Sequence, residues 1–440
     1  MNTIELVSYF TDPVLRGPTL GAFFQALTTS LIGVLVFLRK ESLLGESLSH
    51  ATYPGLILGL LAGIVFTPAF GGFFELAIPL FGAALSAFLA LKTAHFLTSR
   101  LNVKTDSALA LILSSFFGFG VLLVSGLQHS WGSLYKKGEA LLLGQAATMQ
   151  DAHIGFYAGL FALVLLFIVL AKKEIVSFLF DRPFSKVLKL PVNGLQICFQ
   201  LLFLIAIVAG IRSAGVVLVS SLLIAPPLVA SLFASRFFPF CVVAAVTGGI
   251  SALLGTIFST EVTAYFHSVY SERVILPTGP SIALFLSLFA FLAILFAPKK
   301  GFIARRLKVF SHRFRKLEEN LLKFLWRRGN HEAEKKEMHE TFPLPYPLLS
   351  IVLYQMKRNG LVTQQGSKWT LTELGTHKGS RVVRLHRLWE LYLVDILGKG
   401  KDEVHVNAEE MEHILTPELE ERLLNLLKYP SVDPHSQPIP

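Results

Sequence analysis

Long apolar runs alternate with short polar stretches over the first two-thirds of the chain. About 20 consecutive apolar residues suffice for a helix to cross the hydrocarbon core of a bilayer. Runs of roughly this length lie at about 19–38, 47–67, 76–98, 107–127, 152–171, 195–211, 214–234, 240–258 and 281–297. The pattern therefore predicts nine membrane-spanning helices. Only Arg212 and Ser213 separate two of the runs, so eight crossings with one re-entrant segment would also fit.

Beyond residue 298 the pattern is typical of a soluble, mostly helical domain. Apolar positions recur at helical spacing, and Gly360 follows one such segment as a helix stop. The predicted helices lie at about 317–328, 332–342, 347–359, 375–397, 405–415 and 417–427. Gly366-Ser367 separates two short segments, which favours a β-hairpin. Two helices followed by a two-stranded ribbon predict a winged helix-turn-helix.

The density of charge changes at the same place. Only 16% of the chain is charged, against about 25% in soluble globular proteins. Residues 1–298 contain 16 Lys/Arg and 12 Asp/Glu, which is 28 charges, whereas residues 299–440 contain 24 and 18, which is 42 charges. This jump near Pro298 indicates a change of solvent from lipid to water.

Basic residues in the loops indicate how the helices are oriented. With nine spans, the loops on one side carry twelve Lys/Arg and those on the other side carry five. Loops rich in Lys/Arg face the cytoplasm, so the C-terminal region is predicted to be cytoplasmic. Residues 299–316, with eight Lys/Arg, are expected to lie against anionic membrane lipid. A protease-sensitive linker and a contribution to DNA binding are the alternatives.

Glu46 and His50 are candidates for a site on the transport path. They are four residues apart, so they share one face of a helix. A carboxylate and an imidazole suit Mn²⁺, Fe²⁺ or Zn²⁺, and ionisable groups in a span are costly unless they have a function. The alternative is that Glu46 caps the helix and His50 packs in the bundle.

Several segments of the apolar region resemble the integral-membrane subunits of ABC transporters that import zinc, manganese or iron. LLGESLSHATYPG (43–55) is similar to that family's acidic-x-x-x-His signature before Pro-Gly. The resemblance continues in order through 104–120, 175–192, 213–236 and 276–286, with Ser185 and Lys189 replacing the usual Ala and Gly of the 175–192 segment.

The resemblance implies a bacterial inner (cell) membrane and three protein partners. These are a separate ABC ATPase subunit, a metal-binding solute-binding protein and a second permease subunit, which forms a homo- or heterodimer. The sequence contains no GxxxxGK[ST] phosphate-binding motif, which agrees with an ATPase on another polypeptide and no bound nucleotide on this chain. The loop 172–192 and the segment Pro226–Arg236 are the candidate surfaces for docking it.

Side chains suited to metal binding lie on two predicted helices of the C-terminal region. On one helix they are spaced i, i+4, i+7 and i+8, which forms one stripe, and on the other they are spaced i and i+4. They are His405, Glu409, Glu412 and His413, and His386 and Glu390. Nitrogen and carboxylate ligands without thiolate favour Fe²⁺ or Mn²⁺ over a structural zinc site, with Zn²⁺ as a third candidate. The alternative is an ordinary charged helix edge.

The same region resembles the metal-dependent repressors of the diphtheria-toxin-repressor family. The segments that carry the resemblance are 384–398, 403–427 and 429–440. It implies that the six residues above bind a co-repressor metal, and that such domains dimerise. The ligand expected on the first helix falls on Asn320, so either Glu319 substitutes or the site is depleted. In that family an SH3-like domain follows, which we do not expect here.

DNA binding is predicted for the winged helix-turn-helix. Its recognition helix should run over about Pro347–Asn359, with base contacts from the first half and phosphate contacts from basic side chains. The candidate residues facing the DNA operator are Ser350, Tyr354, Gln355, Lys357, Arg358 and Lys368. The helix before it is poor in apolar residues, so a degenerate motif is the alternative.

The predicted fold class is an all-α polytopic membrane protein followed by a winged helix-turn-helix and helical metal-binding domain. Four segments follow: a permease domain 1–298, a basic linker 299–316, a winged helix-turn-helix-like domain 317–380, and metal-binding and dimerisation helices 381–440. This order is similar to the fused metal permease–repressor family found in chlamydiae. We expect an importer subunit for iron or manganese, with zinc as a third candidate, joined to a metal-dependent repressor and not an enzyme.

Two other functions remain open from the sequence. The C-terminal region would close the permease when it binds metal, without any DNA role, or the membrane region would be a proton-driven carrier. Because a repressor tethered to a membrane is sterically restricted, we also hypothesise that the basic linker is cut.

Overall fold

The computed structural model of the chain divides into two compact units, Met1–Ala304 and Arg305–Pro440. The structure describes residues 6–70, 74–144, 146–180, 185, 187–188, 190–270, 276–342 and 344–440. The division between the units lies six residues beyond Pro298, where the charge density was found to change.

The first unit is a bundle of α-helices. Its helices are α1 (Ser8–Thr11), α2 (Pro13–Leu38), α3 (Ser42–Phe70), α4 (Phe74–Arg100), α5 (Thr105–Ser130), α6 (Gly132–Leu143), α7 (Asp151–Leu170), α8 (Lys172–Phe180), α9 (Val192–Phe233), α10 (Phe237–Tyr270) and α11 (Thr278–Phe296), with a 3₁₀ turn at Ala146–Thr148.

Eight helices of the described chain are long and apolar enough to cross a membrane. Seven of them correspond to predicted spans one by one, and the remaining pair of predicted spans falls within α9. This helix is broken at Gly215, whose φ of 77° favours glycine. Its first part, Gly194–Ile211, qualifies as a span, whereas Leu218–Phe233 is a shorter apolar helix. At 1.5 Å per residue, the second part is about 24 Å long, less than the hydrocarbon core of about 30 Å. The alternative of eight crossings therefore agrees with the structure.

Helices α2 and α3 lie at the centre of this unit. Their spans are 72% and 67% buried, while the other six spans are between 22% and 44% buried. Helices α3 and α4 approach closely at Gly55 and Gly82, where a Cβ on either residue would overlap the backbone oxygen of the other. The outer helices expose large apolar side chains, such as Phe81 and Leu170, as expected of surfaces that face lipid.

In its described residues, the second unit has six helices and a three-stranded sheet. Its elements are α12 (Phe302–Arg327, which begins before the division), β1 (Glu332–Glu334), α13 (Lys335–Thr341), α14 (Tyr346–Arg358), β2 (Val362–Gln365), β3 (Lys368–Leu371), α15 (Glu373–Asp395), α16 (His405–Met411) and α17 (Pro417–Leu426), with a 3₁₀ turn at Lys401–Glu403. The antiparallel strand order is β1-β3-β2.

The predicted hairpin is confirmed, with Val362 opposite Leu371 and Gln365 opposite Lys368. Gly360 ends α14 with a φ of 71°, as its sequence position indicated. An apolar core joins α12, α14 and the sheet, and it includes Leu325, Leu353 and Trp369.

Three elements differ from the prediction. Helix α12 begins at Phe302, so most of the predicted basic linker is helical and continues into the first helix of the second unit. The segment predicted as a helix from 332 begins with strand β1. Helix α16 ends at Met411 instead of about 415, and a turn over 412–414 follows it. Pro417 begins α17, and Thr416 before it is extended.

Candidate metal centres

The first candidate centre consists of His386, Glu390 and His405. Helix α15 carries His386 and Glu390 one turn apart, and His405 begins α16. His386 Nε2 lies 3.0 Å and His405 Nδ1 lies 2.5 Å from Glu390 Oε1. One ligand atom from each of the three lies within 4.8 Å of the others. The structure thus brings together three of the six residues predicted from the sequence.

The donor atoms of this centre fit a divalent cation. Although two imidazole nitrogens approach Glu390 Oε1, that buried oxygen has no hydrogen-bond partner among the described residues. Two imidazole nitrogens and one carboxylate oxygen therefore converge on one point. Such a donor set suits Mn²⁺, Fe²⁺ or Zn²⁺.

The electrostatics of the centre keep its carboxylate ionised. Burial acts to raise the pKa of Glu390, but the neighbouring His386 and His405 outweigh it and lower that pKa. Burial acts to lower the pKa of His386, and the Glu390 and Glu412 carboxylates outweigh it and raise that pKa. The centre therefore combines a carboxylate of lowered pKa with a His386 imidazole for which a cation would compete with a proton.

A second group of side chains surrounds Glu412 and His413 in the turn after α16. His413 Nδ1 lies 2.5 Å from Glu319 Oε2, while Glu412 Oε2 lies 2.6 Å from His386 Nδ1. Glu319 is therefore the carboxylate of α12 that faces His413, and its substitution for Asn320 as a metal ligand stays a prediction. His413 Nε2 is buried and has no hydrogen-bond partner in the described part of the chain.

The four residues of the predicted stripe differ in exposure. Glu412 lies just beyond the end of α16 but keeps helical φ and ψ, and its N–H donates to the Ala408 backbone oxygen at 3.0 Å. Glu412 and His413 are buried, whereas His405 and Glu409 are exposed. The predicted spacing alone does not distinguish these two environments.

The sequence analysis missed two residues beside these centres. Lys323 on α12 is buried and donates to both oxygens of Glu412, at 2.9 and 2.8 Å. Lys323 shares a helical face with Arg315 and Glu319, so the apolar pattern of the predicted 317–328 helix does not single it out. The His435 ring stacks on His405 with centroids 4.7 Å apart.

The predicted DNA-facing residues lie on α14 and on the hairpin. Tyr354, Gln355, Lys357 and Arg358 are exposed on α14. Ser350 is half-buried, and its hydroxyl accepts from Lys335 Nζ at 2.6 Å. At the start of β3, exposed Lys368 pairs with Glu332 at 2.6 Å, and this contact raises the pKa of Lys368.

Glu46 and His50 lie one turn apart in α3 and are both half-buried. The His50 ring meets Phe117 edge-on, with centroids 4.7 Å apart. Its Nδ1 is buried without a hydrogen-bond partner among the described residues. An unpaired imidazole nitrogen inside an apolar bundle is costly, which gives His50 a feature that simple core packing would not need.

A bundle of long apolar helices followed by a unit with converging histidine and carboxylate donors defines a membrane protein joined to a metal-binding domain. Residues 11–297 match the ABC 3 transport family, and the chain belongs to that family. Residues 372–440 match the domain described as iron dependent repressor, metal binding and dimerisation. Both resemblances noted in the sequence are confirmed.

Two relatives match this chain over more than nine-tenths of its length. A protein of Chlamydia trachomatis described as a probable metal transport system membrane protein is 34% identical over 98% of this chain and 97% of its own length. The manganese transport system membrane protein MntC of Bacillus subtilis is 28% identical over 93% of this chain and 90% of its own. The structure of PsaBC from Streptococcus pneumoniae shares the fold, with a TM-score of 0.54 and 24% identity over 69% of this chain and 98% of that one.

Proposed function

We propose that this chain is the inner-membrane permease subunit of an ABC importer of divalent metal, joined to a cytoplasmic metal-dependent repressor. The observation that carries the proposal is the convergence of His386, Glu390 and His405 in a chain of the ABC 3 transport family. The conduit and the sensor would then handle the same ion, which allows import to be matched to the metal already inside the cell.

The transported metal is iron or manganese, with zinc as a third candidate. The donors of the regulatory centre are two imidazoles and a carboxylate, without a thiolate, and such sites suit these ions. The Bacillus subtilis relative is described as a manganese transport protein. Glu46 and His50 would contact the ion in transit, and a separate solute-binding protein would deliver it.

Transport requires a separate ABC ATPase and a second permease subunit. The segment Pro226–Arg236 remains a candidate docking surface for the ATPase, and Lys300 Nζ donates to the Ser231 backbone oxygen there at 2.6 Å. The other candidate, 172–192, includes residues 181–184, 186 and 189, which lie outside the described part of the chain. Co-purification of an ATP-hydrolysing subunit would exclude a proton-driven carrier.

The second unit is proposed to bind DNA when it holds metal. Exposed Tyr354, Gln355, Lys357 and Arg358 would face an operator from α14, and the β2–β3 hairpin, with Lys368, would contact phosphate as a wing. Two such units paired as a dimer would reach two half-sites one turn apart.

An electrophoretic shift tests the DNA proposal. The purified full-length chain in detergent is mixed with the DNA upstream of its own gene, with and without Mn²⁺ or Fe²⁺. We expect a shift that requires metal. Metal-dependent closure of transport in proteoliposomes, without any shift, would instead establish the second candidate function, a regulator of transport.

Release of the repressor from the membrane would require a cut between the two regions. Residues 302–316 are helical, so 299–301 is the non-helical part of the predicted linker, and residues 299 and 300 are exposed. Proteases prefer exposed non-helical chain. A blot with an antibody to the C-terminus tests this proposal. A band of the regulatory unit alone is expected, and only a full-length band would count against release.

A further inference from the structure

A lysine lies buried between the two groups of metal-binding side chains. Lys323 is 6% exposed, and its Nζ donates to both carboxylate oxygens of Glu412. The same Nζ lies 3.3 Å from His386 Nδ1. Lysine is almost never fully buried unless it is paired, so its contact with Glu412 is a built-in ion pair.

The carboxylates around His413 are balanced by cations from the chain itself. Lys323 pairs with Glu412 at 2.8 Å, and Arg315 Nε lies 4.0 Å from Glu319 Oε1. Arg315, Glu319 and Lys323 are spaced by four residues on α12, so they share one face. A further divalent ion among these groups would meet two positive charges at short range.

Glu390 has a different environment. Its close neighbours are the imidazoles of His386 and His405, and no Lys or Arg pairs with it within the residues that the structure describes. The described residues therefore offer Glu390 no Lys or Arg charge, and a bound cation would supply one. The two groups therefore differ in charge balance. Glu390 has no Lys or Arg partner among the described residues, whereas Glu412 pairs with Lys323.

We propose that Lys323 supplies beside Glu412 the positive charge that a second metal ion would supply, so that the regulatory unit binds one metal ion, at His386, Glu390 and His405. The inference rests on the proposed function of this unit as a metal sensor. It departs from the expectation that Glu412 and His413 are ligands themselves.

Glu412 is then a positioning residue. Lysine has no acceptor, and Glu412 Oε2 lies 2.6 Å from His386 Nδ1, so the Nδ1 hydrogen is assigned to the bond with Glu412. This bond leaves the lone pair of His386 on Nε2, the nitrogen that faces Glu390. A carboxylate that holds a ligating histidine in this way is a common outer-shell arrangement, and Lys323 fixes that carboxylate in turn.

Counting Mn²⁺ ions on variants of the full-length chain tests the inference. Each protein is purified in detergent and brought to saturation with Mn²⁺ by equilibrium dialysis, and the bound metal is measured per chain. Because the permease unit has its own candidate site, the differences between variants are compared. The variants are Lys323→Met, the double variant Lys323→Met/Glu412→Gln, and His405→Ala.

Lys323→Met is expected to bind one Mn²⁺ more than the wild type, because Glu412, His413 and Glu319 lose their built-in cation. At saturating Mn²⁺ the double variant is expected to bind the same number of ions as the wild type but with lower affinity, because the glutamine amide oxygen still accepts from His386 Nδ1 but carries no charge. An unchanged count for Lys323→Met, or one ion fewer for the double variant, would overturn the inference.

Two features keep the outcomes distinguishable. Lys323→Met leaves a buried carboxylate unpaired and so risks unfolding, whereas the double variant removes both charges at similar volume and decides the question alone. His405→Ala changes a side chain that is 54% exposed and is expected to bind one ion fewer than the wild type. An unchanged count for His405→Ala would refute the metal-sensor function itself, independently of Lys323.

Discussion

Three side chains of different exposure meet in the regulatory unit, and each has a separate task. Glu390 is buried and provides charge, His386 is buried and held by Glu412, and His405 is half-exposed at the start of α16. Of the three proposed ligands, the exposed His405 can be replaced with least effect on folding. It is therefore the residue to test first.

His405→Ala should weaken Mn²⁺ binding by the regulatory unit by at least about tenfold, the lower end of what even outer-shell changes cost. Isothermal titration calorimetry of the full-length chain would measure the change. His377→Ala, an exposed histidine on α15 outside the cluster, is the matched control and should bind as the wild type does. Equal weakening by both variants would contradict a specific site.

His50→Ala should lower metal uptake by more than about tenfold, because the ion would lose an imidazole ligand within the span. Uptake of radioactive Mn²⁺ by cells that express the whole transporter measures this. The control is His129→Ala, an exposed histidine near the end of α5. If His50→Ala transports normally, His50 is a packing residue, as the alternative in the sequence analysis held.

At the scale of elements, the start of helix α15 helps to position two of the proposed metal ligands. The Thr372 side chain accepts from Gly375 N at 3.0 Å and donates to the Gly360 backbone oxygen at 2.6 Å. It therefore joins the start of α15, which carries His386 and Glu390, to the end of α14. Such N-caps stabilise proteins by about 1 kcal/mol.

Thr372→Ala should destabilise the regulatory unit by about 1 kcal/mol, and Thr372→Ser should restore most of the loss. Thermal unfolding of the full-length chain, followed by the fluorescence of its tryptophans, gives the comparison. Thr363→Ala, which is exposed on β2, should leave the midpoint unchanged. If Thr372→Ser lowered the unfolding midpoint as much as Thr372→Ala does, the hydrogen bonds of the hydroxyl would not be the source of the stabilisation.

Helix contact in the membrane unit depends on small residues. A Cβ at Gly55 would overlap the backbone oxygen of Gly82, so Gly55→Ala should force α3 and α4 apart and cost about 1–3 kcal/mol. The midpoint of thermal unfolding in detergent should fall. Gly126→Ala on α5, where an added Cβ meets no heavy atom within 4 Å, should not lower it. Equal midpoints would show that the two helices can separate without cost.

For the whole molecule, the two units divide transport from sensing. A chain that ends after Ala304 should support uptake of radioactive Mn²⁺ at the wild-type rate, at low and at high internal Mn²⁺, because the family match of residues 11–297 lies within the first unit. Uptake that resists high internal Mn²⁺ only in the shortened chain would instead identify the second unit as a regulator of transport.

Apolar patterning and charge density were enough to predict the membrane region and most helices of the second unit, because these depend on local composition and periodicity. The arrangement of the candidate centres was not predictable in this way. Helix α12 brings Lys323 to Glu412 across 89 positions in the sequence and Glu319 to His413 across 94. Contacts between side chains so far apart in the sequence depend on how the helices pack. Only the folded chain therefore distinguishes the group His386, Glu390 and His405 from the group around Glu412, which already pairs with Lys323.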